Sequence, residues 1–198
     1  MKKLIILDRD GVINKESAAY IKSPDEWIPI PGSLEAIAQL NQAGFTVVIA
    51  SNQSGVGRGL FSLETLNKIH QKMERTLKKY GGRIDKIYFC PHTPDDHCKC
   101  RKPKSGLFDQ IKKDYAINLK NVYAIGDSKR DLDAAKACKK ILVLTGHGKE
   151  TLDKNPDVIK TVAVKNDLAE AAAFIIHSQG LMQPKQTKQN IHQLHRWT

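Results

Sequence analysis

The stretch Leu4-Ile5-Ile6-Leu7-Asp8-Arg9-Asp10-Gly11-Val12-Ile13-Asn14 runs an apolar strand straight into two carboxylates. An unbroken Leu/Ile run is the pattern of a parallel strand buried on both faces. Ligand chemistry in open α/β sheets takes place just beyond the carboxyl ends of such strands. Asp8 and Asp10 are therefore expected to leave the strand end into one crevice, with Gly11 permitting a sharp turn. Two carboxylates this close are costly unless a cation or a shared proton offsets them. Taken alone, an Asp-x-Asp after a strand is as easily a polar turn as a site, so the rest of the chain decides.

After Leu4–Leu7, further apolar β-type runs follow at Thr46–Ala50, Lys86–Phe89, Val122–Ile125 and Ile141–Leu144, with a weaker one at Thr161–Val164. Helical periodicity fills the gaps. Leu34, Ile37 and Ala38 share a face over Ser33–Ala43, and Leu66, Ile69, Met73 and Leu77 share one after an N-cap at Ser62. Further helices are expected around Gly106–Tyr115, Asp131–Cys138 and Asp167–His177. Alternating strands and helices predict an α/β, Rossmann-like, doubly wound parallel sheet. Residues 1–177 are read as one domain and 178–198 as a basic, Gln-rich tail. No segment between strands is long enough for a lid domain, so the fold is expected to be capless. The long irregular stretches, Lys15–Pro31 and Pro91–Lys104, are then the places to look for function.

At 198 residues with 40% hydrophobic content, the chain can bury a core without disulfides. No stretch approaches the roughly 20 apolar residues of a membrane span, and the apolar run of MKKLIILDRD is too short for a signal peptide. A cytoplasmic monomer is expected. The net charge of +11 suggests nucleic acid at first sight, but the Lys and Arg residues are dispersed with little aromatic interleaving. A positive field serves equally to gather small polyanionic substrates.

Two later strand ends carry chemistry, with a cationic stretch between them. Ser51-Asn52-Gln53-Ser54-Gly55 offers hydroxyls and amides suited to phosphoryl oxygens. Arg101-Lys102-Pro103 is a cationic pair, and Gly126-Asp127-Ser128-Lys129-Arg130-Asp131 is a second acidic loop, which could by itself be a helix N-cap. Parallel strands would bring all of these to one edge, the usual setting for Mg²⁺ with a phosphate. Separately, Cys90-Pro91-His92-Thr93-Pro94-Asp95-Asp96-His97-Cys98-Lys99-Cys100 reads C-x-H-x5-C-x-C. Three thiolates and an imidazole make a closed, structural zinc site. Cys90, His92, Cys98 and Cys100 are the expected ligands, and His97 is a spare candidate. Zinc would pin a loop that ends at Lys102.

In order, Asp8-Arg9-Asp10-Gly11-Val12, Ser51, Lys102 and Gly126-Asp127 with Asp131 resemble the four motifs of the haloacid-dehalogenase-like (HAD) phosphatases. The resemblance covers residues 1 to about 175 and implies a Mg²⁺-dependent phosphoric monoester hydrolase. It implies Asp8 as nucleophile through an aspartyl-phosphate, and Asp10 as general acid–base. Asp8, Asp127 and the Asp10 backbone carbonyl would hold Mg²⁺. Ser51 and Lys102 would bind phosphoryl oxygens, and Asp131 would orient the metal shell or Lys102. Within the superfamily, the zinc loop followed by Cys-Arg-Lys-Pro looks like two families, the heptose 1,7-bisphosphate phosphatases of lipopolysaccharide and S-layer precursor synthesis and the histidinol-phosphatases. The Leu-Asp-Arg-Asp-Gly-Val-Ile-Asn and Asn-Gln-Ser-Gly stretches look like the former. That resemblance implies contacts to substrate from Ser51, Asn52, Gln53, Ser54, Arg101 and Lys102, more loosely from Glu16–Tyr20, and an added charge from Lys129 or Arg130. Arg101 would hold a second phosphate or close an ion pair near the zinc loop. A sugar bisphosphate is the expected partner, with no nucleic acid and no membrane. A nucleic-acid end phosphatase would use the same chemistry but needs a long basic groove. A zinc-finger module is disfavoured, since the cysteines sit inside the catalytic framework.

Overall fold

The computed structural model describes residues 3–180. Six strands form one sheet: β1 (Lys3–Leu7), β2 (Phe45–Asn52), β3 (Lys86–Cys90), β4 (Tyr123–Gly126), β5 (Lys139–Val143) and β6 (Ala163–Lys165). Every pairing is parallel, in the order β3-β2-β1-β4-β5-β6. The chain winds outward in one direction from β1 to β3, then reverses and winds the other way from β4 to β6. The reversal lies between β1 and β4, where the connecting segments diverge and leave a crevice at the carboxyl ends. Asp8 follows β1 and Asp127 follows β4, so both flank that crevice, and the Asp8 N–H donates to the Ile125 carbonyl at 2.9 Å.

Side-chain alternation sends Ile5 and Leu7 to one face of the sheet and Leu4 and Ile6 to the other. The first face packs against α1 (Ser33–Gln42), α3 (Leu63–Lys79) and α7 (Leu168–Ser178). The second packs against α4 (Gly106–Tyr115), and α5 (Lys129–Ala134) leads off the same side. The α3 stripe of Leu66, Ile69, Met73 and Leu77 is fully buried, at about 1.5–3 kcal/mol per side chain. Its N-terminus is capped as its sequence predicts, with the Ser62 hydroxyl accepting from the Thr65 N–H at 3.1 Å.

Two short helices escape the sequence pattern, α2 (Ser54–Gly57) and α6 (Gly148–Lys154). Each is about a turn or two, too short for a 3.6-residue period to show. The helix expected at Asp131–Cys138 instead runs over Lys129–Ala134. Ser128 and Asp131 form a capping box that starts it earlier, and the chain turns at Ala135 to enter β5. No lid domain interrupts the described residues. Helix α7 ends at Ser178, one residue into the segment read as a tail, and the tail beyond residue 180 lies outside the described residues. Among the described residues, no helix is long and apolar enough to cross a membrane.

Candidate active site

Asp8, at the end of β1, is buried, and its Oδ1 accepts from the Arg9 N–H at 2.7 Å and lies 2.9 Å from Lys102 Nζ. Its Oδ2 has no protein donor among the described residues. Lys102 arrives from the cysteine loop, only 2% exposed. Its ammonium donates to the Ala50 carbonyl at 2.7 Å and forms ion pairs with Asp8 Oδ1 at 2.9 Å and Asp131 Oδ1 at 2.6 Å. Burial works against this ammonium, but the carboxylates of Asp131 and Asp8 outweigh it and keep it charged. Lys102, expected to reach phosphoryl oxygens, is thus paired with the carboxylates of both Asp8 and Asp131.

Asp127 is fully buried. Its Oδ2 accepts from the His147 N–H at 2.8 Å, and its backbone carbonyl accepts from the Thr151 hydroxyl at 3.0 Å. Its Oδ1 is buried without a partner. The approach needs two glycines. A Cβ at Gly11, where φ is +78°, would stand 2.0 Å from Asp127 Oδ2, and one at Gly146, where φ is +54°, would stand 2.1 Å away. Gly146 and His147, at the entry to α6, carry no motif in the sequence. Their only signal is the Gly-His-Gly that follows β5.

Carboxylate oxygens of Asp8, Asp127 and Asp131 lie within 4.8 Å of one another. Burial, with repulsion from the neighbouring acids, raises Asp8 from 3.8 to about 7, though Lys102 opposes it. Burial and the charges of Asp8 and Asp131 raise Asp127 to about 8. Such a pair, with an orphaned oxygen facing it, fits a divalent cation with oxygen ligands. Asp131 is already engaged, by Lys102 on Oδ1 and by the Ser128 N–H on Oδ2, so the open positions belong to Asp8 and Asp127.

The Asp10 carboxylate turns away from this cluster. Arg9 forks onto it, Nε to Oδ1 and Nη2 to Oδ2, both at 3.0 Å. Asn14 Nδ2 adds a bond at 2.8 Å and Gln53 Nε2 another at 2.9 Å. Burial alone would raise this carboxyl, but Arg9 and the two amides outweigh it and hold it below the usual range. Asn14 is in turn held by Trp27 Nε1 at 3.0 Å, and Arg9 is backed by Gln53 and His70. Arg9, Asn14, Trp27 and His70 were given no role by the sequence motifs. Their function depends on contacts between segments up to 61 residues apart.

The pocket over Asp8 and Asp10 encloses about 240 Å³ and is open at one side. Ser51, Asn52, Gln53, Ser54 and Arg101 all line it, as does the 16–20 segment through Glu16 and Tyr20. Their roles differ. Ser51 leaves its hydroxyl proton free while accepting from Gln53 at 2.9 Å. The Asn52 amide is spent on the Lys102 backbone, donating to its carbonyl and accepting from its N–H, both at 3.0 Å. Arg101 donates to the His92 carbonyl at 3.3 Å. Arg58 and Arg130 join it on the pocket wall, whereas Lys129 turns outward onto Asp133.

The cysteine loop closes on itself beside this pocket. Cys90, Cys98 and Cys100 Sγ stand 3.2–3.6 Å apart, and His92 Nδ1 lies 3.6 Å from Cys90 and 3.3 Å from Cys100. Zinc–sulfur bonds of about 2.3 Å around a tetrahedron imply edges of about 3.8 Å, so the four donors fit such an ion. His97 is not among them.

A family model described as polynucleotide kinase 3 phosphatase matches residues 3–139. A D-glycero-beta-D-manno-heptose-1,7-bisphosphate 7-phosphatase of Bordetella bronchiseptica is 58% identical over 176 residues, covering 88% of this chain and 98% of its own. One of the same name from Pseudomonas putida is 49% identical over 88% and 99%. The crystal structure of the B. bronchiseptica D,D-heptose 1,7-bisphosphate phosphatase, complexed with magnesium and phosphate, superposes with a TM-score of 0.86 at 53% identity, covering 89% of this chain and 99% of that one. With this sheet order, these strand-end carboxylates and these relatives, the chain is a phosphoric monoester hydrolase and belongs to the D-glycero-beta-D-manno-heptose-1,7-bisphosphate 7-phosphatase family of the HAD superfamily.

Proposed function

We propose that the enzyme removes the C7 phosphate of D-glycero-D-manno-heptose 1,7-bisphosphate, yielding heptose 1-phosphate for lipopolysaccharide or S-layer heptose precursors. The observation that carries it is the pairing of a buried Asp8, whose Oδ2 is free of protein donors, with a pocket wall holding Arg58, Arg101 and Arg130. A primary C7 phosphate can extend down to Asp8 in a capless site. The C1 phosphate then stays among the arginines, whose forks suit phosphate oxygens.

Asp8 Oδ2 attacks phosphorus while the bond to the C7 oxygen breaks, and Asp10 delivers a proton to that leaving oxygen. Asp10 rests ionised, so the proton enters with the substrate, whose second phosphate pKa is about 6. Asp10 then takes a proton from water as the water attacks the aspartyl-phosphate, and the Asp8 oxygen–phosphorus bond breaks. Lys102 holds Asp8 in line throughout, and Ser51 donates to a phosphoryl oxygen. Mg²⁺, held by Asp8, Asp127 and the Asp10 carbonyl, would offset repulsion between the nucleophile and the phosphate. Zinc on Cys90, His92, Cys98 and Cys100 would be structural.

Phosphorus NMR of the product tests this reading. The expected result is heptose 1-phosphate and a kcat/KM for the bisphosphate well above that for histidinol phosphate or a 3′-phosphorylated oligonucleotide. Heptose 7-phosphate, or a preference for either alternative, would overturn it.

The carboxylate pair also sets a pH dependence. Both folded-state values, about 7 and about 8, lie above the ordinary 3.8. The metal-free fold therefore holds protons that the unfolded chain gives up, and the stability this confers is lost as pH rises from about 4 through about 8. A cation that displaces these protons binds more tightly over the same window. The rise in melting temperature on adding Mg²⁺ should be small at pH 5.5 and several times larger at pH 8. A rise that does not change with pH would place the cation elsewhere.

A further inference from the structure

Arg9 is 1% exposed, although it carries a charge and lies between the two catalytic carboxylates in sequence. Its guanidinium has only donors to offer. Nε and Nη2 grip Asp10, and Nη2 also reaches Gln53 Oε1 at 3.1 Å. The remaining nitrogen, Nη1, meets His70 Nε2 at 3.3 Å. His70 comes from the middle of α3 and is 6% exposed, with its ring edge-on to Phe89. Burial, then the charge of Arg9, pushes its pKa down to about 4, so the ring is neutral. Because Arg9 can only donate, Nε2 must accept, and the ring proton sits on Nδ1.

We propose that His70 is a positioning residue for the acid–base step. Its Nε2 lone pair fixes the rotation of the Arg9 guanidinium, and the guanidinium fork in turn aims the Asp10 carboxylate. A bidentate grip orients a carboxylate only if the fork itself cannot turn. On the other side Asn14, held by Trp27, fixes Asp10 from the first loop. Asp10 is thus clamped between α3 and the 14–27 loop. A helix that otherwise serves the core carries one polar side chain inward for this purpose.

The inference rests on the assignment of Asp10 as the proton donor, and the test separates the two. Glutamine carries its side-chain oxygen near the position of the histidine Nε2, whereas asparagine carries its oxygen near Nδ1. His70→Gln therefore keeps the acceptor that Arg9 needs, and His70→Asn removes it at similar polarity. Each variant is assayed for kcat/KM on heptose 1,7-bisphosphate and on p-nitrophenyl phosphate. The sugar alkoxide needs a proton to leave, and nitrophenolate does not. His70→Asn should lose at least about tenfold on the sugar phosphate and less than about threefold on the aryl phosphate, as expected for a misaimed acid. His70→Gln should stay within about threefold on both. Equal losses on both substrates, no loss in His70→Asn, or a His70→Gln variant as impaired as His70→Asn would overturn the proposal. Asp10→Asn serves as the reference. If that variant keeps its rate on the sugar phosphate, it is the assignment of Asp10 that fails.

Discussion

Asp8→Asn is expected to lower turnover by about 10⁴-fold or more while leaving a folded, zinc-loaded protein. The asparagine oxygen can take the place of Oδ1 and still accept from the Arg9 N–H and from Lys102, so the strand end keeps its geometry. What is lost is the negatively charged oxygen proposed to attack phosphorus, and an amide nitrogen cannot replace it. The substitution should also raise the melting temperature in the absence of Mg²⁺. Burial and the nearby acids push the Asp8 carboxyl up to about 7, so the metal-free fold holds its charge at a cost. Steady-state rates on the bisphosphate, with thermal melts under chelation, check both halves. Substantial turnover in pure Asp8→Asn protein would sink the nucleophile assignment. A lower metal-free melting temperature would show instead that Asp8 is needed as the counterion of Lys102.

How far the site can be read from sequence depends on whether its residues lie at strand ends or meet only in three dimensions. The Leu4–Leu7 run places Asp8 because a buried strand is a continuous apolar string, and the same pattern at Val122–Ile125 places Asp127. The cysteine spacing likewise forecasts a four-donor cluster, which the fold brings within bonding range of one ion. Lys102 is legible as a site residue but not in its duty. Asp131, expected to orient the metal shell or Lys102, stands 2.6 Å from the lysine on one oxygen, and the fold adds that the other oxygen caps α5 at the same time. Asn52 is similar, a pocket residue by motif whose amide in fact braces the Lys102 backbone. His70 could not be found at all. On α3 it reads as one polar residue beside a core stripe, and its meaning arises from Arg9, 61 residues away. Gly146 is equally silent, because its importance lies in the side chain of Asp127 that it makes room for.

Losing one cysteine of the four-donor cluster should be nearly as damaging to turnover as losing a residue of the pocket, although none of the four touches the phosphate site. The chain of positions is short. Cys90 closes β3, and its carbonyl accepts from the Gln53 N–H at 2.7 Å. The Pro91 carbonyl accepts from the Gly57 N–H at 3.0 Å, and Lys104 Nζ reaches the carbonyls of His97 and Cys98 at 2.9 and 2.8 Å. Two residues past Cys100 stands Lys102, with its ammonium on Asp8. The loop has little apolar core of its own, so a bound ion supplies the crosslink that packing would supply elsewhere. Burial, with bonding to Cys100, pushes the Cys90 thiol well above the ordinary range, and a divalent cation is the means of ionising it. Cys98→Ser should therefore release the zinc, melt the loop locally and lower kcat by about 100-fold, the order expected when a positioning group shifts by about 1 Å. Far-UV circular dichroism should remain close to that of the parent protein, because the sheet and its helices supply nearly all of the two main cores, with only the cysteines of the loop packing onto the second. Cys138→Ser is the matched control, since Cys138 lies outside the cluster, and it should keep both zinc and activity. Elemental analysis after mild chelation should find about one zinc per chain in the parent and in Cys138→Ser, and none in Cys98→Ser. Full activity in zinc-free Cys98→Ser protein would mean that Lys102 is held in place by Asn52 and Asp131 alone, and that the cluster serves some purpose other than catalysis.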